Sequence, residues 1–200
     1  MAERLVSESH ISEVDQLRAN MYRLLARSLA SPANPEFLSV LVGLEGDDSD
    51  LGRALGELSA AAGNLDVQSV NQEYQDLFIG VGRGELLPFG SYYLTGFLNE
   101  KPLARLRNDM TKLGIERDPS VKEPEDHAGA ILDMMAGLID GTFGIAQPLN
   151  VQHEFFKNHI SNWMSHFFKD LQAAKHAELL RPVGKIGGLF LEIEESAFAM

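Results

Sequence analysis

Apolar residues recur every three to four positions along most of this chain, which is the spacing of one face of an α-helix. The first apolar stripe stops before Pro32 and contains Val14, Leu17, Met21, Leu24, Leu25 and Leu29. The same spacing predicts further helices over residues 37–42, 51–58, 70–78, 102–113, 128–139, 151–180 and 189–197. Since no segment alternates apolar and polar residues with β-branched enrichment, the pattern predicts an all-α fold.

Two segments interrupt this helical pattern. Residues 80–92 are predicted to form a loop because they contain Gly80, Gly82, Gly84, Pro88 and Gly90. Residues 115–122 are polar and contain a proline. We therefore predict a helical bundle of two unequal halves, 1–114 and 123–200, joined by a hinge at 115–122.

The run Glu-Pro-Glu-Asp-His at 123–127 comes directly before the apolar stripe of residues 128–139. Pro124 suits the first position of a helix, and the acids suit its positive end. One interpretation is therefore a helix start capped by Glu123 or Asp126. The alternative is a compact anionic corner, with His127 beside it, that receives a cationic partner such as an arginine side chain.

Composition narrows the classes of function. The net charge of −12 argues against binding to nucleic acid backbones, which requires a basic surface. The absence of cysteine excludes disulfides, a thiolate nucleophile and zinc bound by cysteine. Residues 1–5 lack a basic start followed by an apolar run, and no apolar stretch is long enough to span a bilayer. The sequence thus predicts a cytoplasmic protein without stable membrane insertion.

No catalytic or metal-binding motif stands out. The glycines at 80, 82 and 84 do not match a dinucleotide-binding fingerprint, because Glu85 stands where its third glycine is required. The sequence motif of a phosphate-binding loop is also absent. His153, His159 and His166 lack the spacing of a shared metal site. The helical spacing of the aromatic residues at 155, 156, 163, 167 and 168 predicts that they lie in the core. The loop aromatics Phe89, Tyr92 and Tyr93 either pin the loop or contact a peptide.

Three motifs in this order resemble the TorD/DmsD family of redox-enzyme maturation chaperones. They are Glu-Tyr-Gln-Asp-Leu-Phe-Ile-Gly at 73–80, Leu-Pro-Phe-Gly-Ser-Tyr-Tyr at 87–93, and the acidic run at 123–127. The resemblance covers roughly residues 10–140. The family often has tryptophan near the second motif, where this chain has Phe89 and Gly90.

The resemblance implies a cytosolic, helical chaperone that is not an enzyme. Its partner would be the catalytic subunit of a molybdopterin oxidoreductase, bound through a twin-arginine signal peptide before export, and the second motif suggests a formate dehydrogenase as client. No cofactor is expected, although some family members bind guanine nucleotides weakly. The chain is expected to be a monomer that can form a domain-swapped dimer through the hinge. The expected signal-binding residues are Glu73, Tyr74, Phe78, Pro88, Phe89, Ser91, Tyr93, Glu123, Glu125, Asp126 and His127.

Two other functions stay open at this point. A hydrolase could use Asp126 or Glu125 with His127 as acid and base, although neighbouring residues of a helix diverge by about 100°. A purely structural helical adaptor would differ from the chaperone only in lacking a peptide-selective site.

Overall fold

The protein is described by a computed structural model over residues 11–200, so the expectation about a leader at residues 1–5 lies outside the described part. That part consists of α-helices and contains no strand, which confirms the all-α prediction. In chain order the helices are α1 Glu13–Ala30, α2 Pro35–Val42, α3 Asp50–Asn64, α4 Val67–Tyr74, α5 Gly90–Thr95, α6 Lys101–Leu113, α7 Ala128–Asp140, α8 Leu149–His159, α9 Met164–Ala173 and α10 Leu180–Phe198. None of the helices within residues 11–200 combines the length and apolar character that a bilayer crossing requires.

The prediction of one helix over 151–180 is wrong, because α8 ends at His159 and α9 begins at Met164. The indole N–H of Trp163 donates to the carbonyl of His159 at 2.8 Å and so satisfies an acceptor at the end of α8. Trp163 and the phenylalanines of both helices are buried, as their spacing predicted. Pro182 does not end a helix; it stands in the first turn of α10, where no helical N–H is required.

Two helix starts also differ from the predictions. Residues 90–92 were predicted as loop, but Gly90 opens the short helix α5. The helix after the acidic run begins at Ala128 rather than at Pro124, so the acids precede α7 instead of forming its first turn. Gly80, with a φ of 61°, ends a π-helical turn that continues α4 over Gln75–Ile79.

The core joins helices that are distant in sequence. α1 packs along α7, while α10 packs against α9 and α3. Tyr22 of α1, Leu132 of α7 and Phe167 of α9 belong to one continuous cluster of buried apolar residues. Ile115 is buried at the start of the predicted hinge, and residues 116–122 are exposed. The packing of α1 on α7 sets the position of the surface described next.

Candidate functional site

The segment 88–91, which ends the loop and opens α5, lies against the acidic run and brings two of the sequence motifs together. The N–H of Gly90 donates to the carbonyl of Asp126 at 2.9 Å, and the N–H of Ala128 donates to the carbonyl of Pro88 at 2.7 Å. These two bonds form an isolated antiparallel bridge between Phe89 and His127. The motifs therefore meet through their backbones.

Asp126 is 2% exposed and serves the start of α5. Its Oδ2 accepts the N–H of Ser91 at 2.7 Å, in a helix whose own N-cap residue, Phe89, offers no side-chain acceptor. The prediction that Asp126 caps the helix after the acidic run is therefore wrong. Among the residues described, Oδ1 of Asp126 and Oγ of Ser91 are buried without a hydrogen-bond partner.

His127 is the residue that caps α7. Its Nδ1 accepts the N–H of Gly129 at 3.1 Å, and its ring stands edge-on to Phe89 with the ring centres 5.2 Å apart. Burial lowers the pKa of His127 to about 4, so the imidazole is neutral at pH 7. Since Nδ1 holds a backbone N–H, it is not free to accept a substrate proton as the hydrolase alternative requires.

Glu125 already has a cationic partner within the chain. Its Oε2 accepts hydrogen bonds from Nε and Nη2 of Arg107 at 3.0 and 2.7 Å, and Arg117 lies 3.6 Å from Oε1. Burial is the largest single influence and opposes the charged form, but the hydrogen bonds to Glu125 and the charges of Arg107 and Arg117 together outweigh it and lower the pKa of Glu125. Arg117 also donates to the carbonyls of Val121 and Lys122. One acid of the predicted anionic corner, Glu125, is thus paired with the protein's own arginines.

Residues of the first motif are also engaged in holding the fold. The carboxylate of Glu73 accepts three backbone N–H groups at the start of α10, from Glu178, Leu179 and Leu180, at 2.8–3.0 Å. Burial raises the pKa of Glu73, although these hydrogen bonds favour its charged form. The sequence could not reveal this role because the partners lie about 105 residues away.

The aromatic residues expected in the site are likewise packed. The hydroxyl of Tyr74 donates to the carbonyl of Leu29, and the ring of Phe78 is buried beside it. The hydroxyl of Tyr93 donates to Asp170, and its ring lies against Trp163 and Phe167. Of the residues expected to bind the signal peptide, Glu123 is exposed without a side-chain partner in the described chain.

A wide groove of about 900 Å³ runs between α1, α6 and α7 and reaches α2 and α3. Its floor is apolar, and exposed apolar side chains stand at its edges, namely Leu17, Val40 and Val121. The floor consists of Met21, Leu24, Phe37, Leu44, Leu55, Met110, Ile115, Ala130, Met134 and Phe143. The acidic run closes one part of this groove with Glu123, Glu125 and His127.

Sequence reasoning missed this groove. Its walls come from helices separated by up to about 100 residues, and each wall alone has the apolar stripe of any core-facing helix. The available signal was a surplus of apolar residues on α1, where Leu17, Met21 and Leu24 widen the stripe beyond the fully buried residues Tyr22, Leu25 and Leu29. A stripe of that width indicates a second apolar contact.

Charged side chains are distributed unevenly around the groove. Five carboxylates and three guanidinium groups line it. Arg23 pairs with Asp140, Arg27 lies over the ring of Phe37, and Arg117 is beside Glu125. The basic side chains are therefore engaged within the protein. Three of the acids, Glu116, Glu123 and Asp133, have no side-chain hydrogen bond or ion pair in the described chain.

Comparisons with known proteins agree with this architecture. A family model described as "Nitrate reductase delta subunit" matches residues 44–169. A "Chaperone protein TorD" from Vibrio cholerae strain O395 is 30% identical over 156 residues, which are 72% of this chain and 70% of that protein. A second, from Vibrio parahaemolyticus, is 27% identical over 157 residues, covering 72% and 73% of the two chains.

A likeness to a solved structure extends over nearly the whole chain. A crystal structure of an Archaeoglobus fulgidus protein assigned to redox enzyme maturation superposes with a TM-score of 0.61. The superposition covers 96% of this chain and 99% of that protein, at 18% sequence identity. At that identity the likeness supports the fold alone.

Proposed function

The chain belongs to the TorD family of redox-enzyme maturation chaperones, and we propose that its groove binds the N-terminal signal peptide of a molybdopterin oxidoreductase. The family makes it a chaperone in molybdoenzyme maturation and not an enzyme. The observation that carries the proposal is the groove beside α1 and α7, which combines an apolar floor with unpaired carboxylates.

The floor suits an apolar peptide of variable sequence. Met21, Met110 and Met134 contribute unbranched side chains that adapt to different partners. An apolar helix that lies in a hydrophobic groove is an established mode of peptide recognition.

The charge of the protein suits the basic end of a signal peptide. The net charge of −12 attracts a cationic segment, and the groove leaves three carboxylates unpaired. Complementary charge accelerates encounter and selects the orientation of the peptide. A peptide with arginines followed by an apolar run therefore matches both the unpaired carboxylates and the apolar floor of the groove.

Further features of the proposal come from the family resemblance. We place binding in the cytoplasm, before export and during cofactor insertion. A formate dehydrogenase is the proposed client, because of the Phe89-Gly90 variant of the second motif. The chaperone role requires no resident cofactor, and weak binding of guanine nucleotides is kept as an expectation to test by calorimetry.

The test is isothermal titration with a synthetic leader peptide that contains two arginines and an apolar run. Met21 is half-buried in the floor, so Met21→Glu places a charge where the apolar peptide would lie. We expect affinity to fall by about 10-fold or more, since a buried unpaired charge is costly. Ile193→Glu is the matched control because Ile193 is an exposed apolar residue on α10, outside the groove. Equal binding by Met21→Glu and the wild type would show that the peptide does not occupy this groove.

We also propose that the chain is mainly monomeric and exchanges slowly with a domain-swapped dimer. The exposed segment 116–122 separates α6 from α7, and α7 packs on α1 of the other half. If the segment extends, α7 can make the same contacts with a second copy. Light scattering during size-exclusion chromatography tests this, and a monomer at every concentration and pH would count against it.

A further inference from the structure

Asp133 was not singled out by the sequence, and unlike Glu73, Glu125 and Asp126 it has no partner in the described chain. It stands on α7 between two residues of the groove, Ala130 and Met134. Within residues 11–200, no basic side chain forms an ion pair with Asp133 and none hydrogen-bonds to its side chain. An acid in this position, on an otherwise apolar face of a helix, has no evident role in the fold.

The surroundings of Asp133 disfavour an isolated negative charge. Partial burial raises the pKa of Asp133, an effect that Arg23 opposes and that the negative charge of Asp140 reinforces. Arg23 does not compensate for this fully, because its guanidinium is held by Asp140 and Thr142. A cation brought by a ligand would therefore stabilise the carboxylate of Asp133 more than it would stabilise a fully solvated acid.

The acids of the 123–127 run cannot offer the same contact. Glu125 is bound by Arg107 and Arg117, and Asp126 is buried beneath Ser91. Glu123 is also free, but it precedes α7 at the hinge end of the groove instead of standing on the helix face that lines it. Among the described residues, Asp133 is the unpaired acid of the groove that stands on α7 itself, partly exposed to solvent, beside the floor residues Ala130 and Met134.

We propose that Asp133 binds the guanidinium group of a client arginine and sets the preference of the groove for arginine-containing signal peptides. The inference rests on the proposed function, since it assigns one contact within the same groove. A carboxylate accepts two parallel hydrogen bonds from arginine, which a lysine ammonium cannot provide. The methylene groups of the arginine would lie along Ala130 and Met134, and the apolar run of the peptide would continue over the floor.

The experiment is a cycle of four titrations by calorimetry. Wild type and Asp133→Asn are each titrated with the twin-arginine leader and with the same leader carrying two glutamines instead. We expect Asp133→Asn to weaken the arginine peptide by roughly 10-fold, the usual scale of a charge-assisted hydrogen-bonded contact. Binding of the glutamine peptide should change by less than about twofold, because it lacks the contact in both proteins.

Three further variants make the result specific. Glu195→Gln removes one negative charge from an exposed position on α10 outside the groove, and should leave both affinities unchanged. Glu123→Gln removes the free acid at the hinge end of the groove and should have a smaller effect, because Glu123 does not stand beside Ala130 and Met134. Asp133→Glu keeps the carboxylate and should retain a measurable part of the preference for arginine.

The outcomes separate this inference from the proposed function. If Asp133→Asn weakens both peptides equally, or neither, the inference is wrong while groove binding stands. The same holds if only Glu123→Gln removes the preference for arginine, or if the wild type binds both peptides equally well. A wild type that binds neither peptide refutes the proposed function, and this inference with it.

Discussion

The acidic run at 123–127 and the groove face of α7 are adjacent in sequence, yet they use their carboxylates in opposite ways. In the run, Glu125 and Asp126 are committed to partners within the chain. Six residues later, Asp133 has no partner in the described structure and faces a groove. The comparison shows that two acids of a conspicuous cluster hold the fold together, while a solitary acid on the next helix has no partner in the described chain.

The physical reason lies in what surrounds each segment. The run joins α6, α5 and α7, and each of these helices presents either free backbone N–H groups or an arginine. Acids placed there are used locally, since buried polar groups require partners. The groove face of α7 meets mostly apolar side chains of α1, and Arg23 of α1, whose charge acts on Asp133, is paired with Asp140.

The largest effect expected from this difference is a dependence of stability on pH through His127. Its folded pKa of about 4 lies below the ordinary value of 6.5, so the unfolded chain binds the proton more readily between these values. Stability should therefore fall as the pH falls from about 6.5 to 4, by about 3 kcal/mol at most from this residue. Urea unfolding at several pH values measures the slope.

His127→Asn is the control for that slope, because asparagine can cap α7 without titrating. The variant loses packing against Phe89 at every pH, but its stability should vary less than that of the wild type between pH 6.5 and 4. Identical slopes for the two proteins would show that protonation of His127 does not cause the loss of stability in acid. The same protonation gives a reason to expect the swapped dimer in acid, since α7 begins next to the hinge.

The second effect concerns Asp126. Replacing it by alanine leaves the N–H of Ser91 without an acceptor in a buried position, which should lower the free energy of unfolding by about 2 kcal/mol. Glu123→Ala, three residues earlier at an exposed and unpartnered side chain, should change it by less than about 0.5 kcal/mol. Denaturant unfolding of the two variants decides whether the run is structural, and equal stabilities would contradict that view.

Asp126 and Glu123 also show how much of the structure could be predicted from the sequence. The helical periodicity located most of the helices, and the three motifs identified the family, because both signals are local. The cap of α7 was assigned to Asp126 or Glu123, since the sequence cannot show that α5 starts beside Asp126 and takes its carboxylate. The break between α8 and α9 was missed for a related reason, because it depends on where the indole of Trp163 points.

The site was harder to predict than the fold. Glu73 was expected to contact the client, but its carboxylate holds the start of α10, about 105 residues away. The groove itself requires that α1 lie along α7, a pairing that no local pattern encodes. The assignment of the expected residues to signal binding therefore stays a prediction, and the unpaired acids of the groove sharpen it.

The third effect is the ion pair between Arg107 and Glu125. The pKa of Glu125 is lowered in the folded state, so the pair contributes stability above the unfolded value near 4.5, and that contribution is lost as the pH falls through the folded value. Since the Arg107 side chain is about half exposed, Arg107→Gln should lower the free energy of unfolding at pH 7 by about 1 kcal/mol or less. Arg105→Gln, at an exposed position of α6 without a side-chain partner in the described part, is the control. A loss that persists unchanged in strong acid would indicate packing rather than charge.

The smallest effect on stability is expected at Asp133, and a small effect is what distinguishes it from the acids that hold the fold. The pKa of Asp133 is raised, so its charge opposes folding at neutral pH, and this penalty disappears below the unfolded value near 3.8. Asp133→Asn should therefore leave stability at pH 7 unchanged or slightly higher, within about 0.5 kcal/mol, since no contact is lost. Thermal and denaturant unfolding at pH 7 and in acid measure this difference, which should vanish in acid. A marked loss of stability would place Asp133 with Asp126 as a residue that holds the fold, and the contrast between the two segments would no longer stand. Unchanged stability together with weaker binding of the arginine peptide is the combination expected of a residue retained for its ligand.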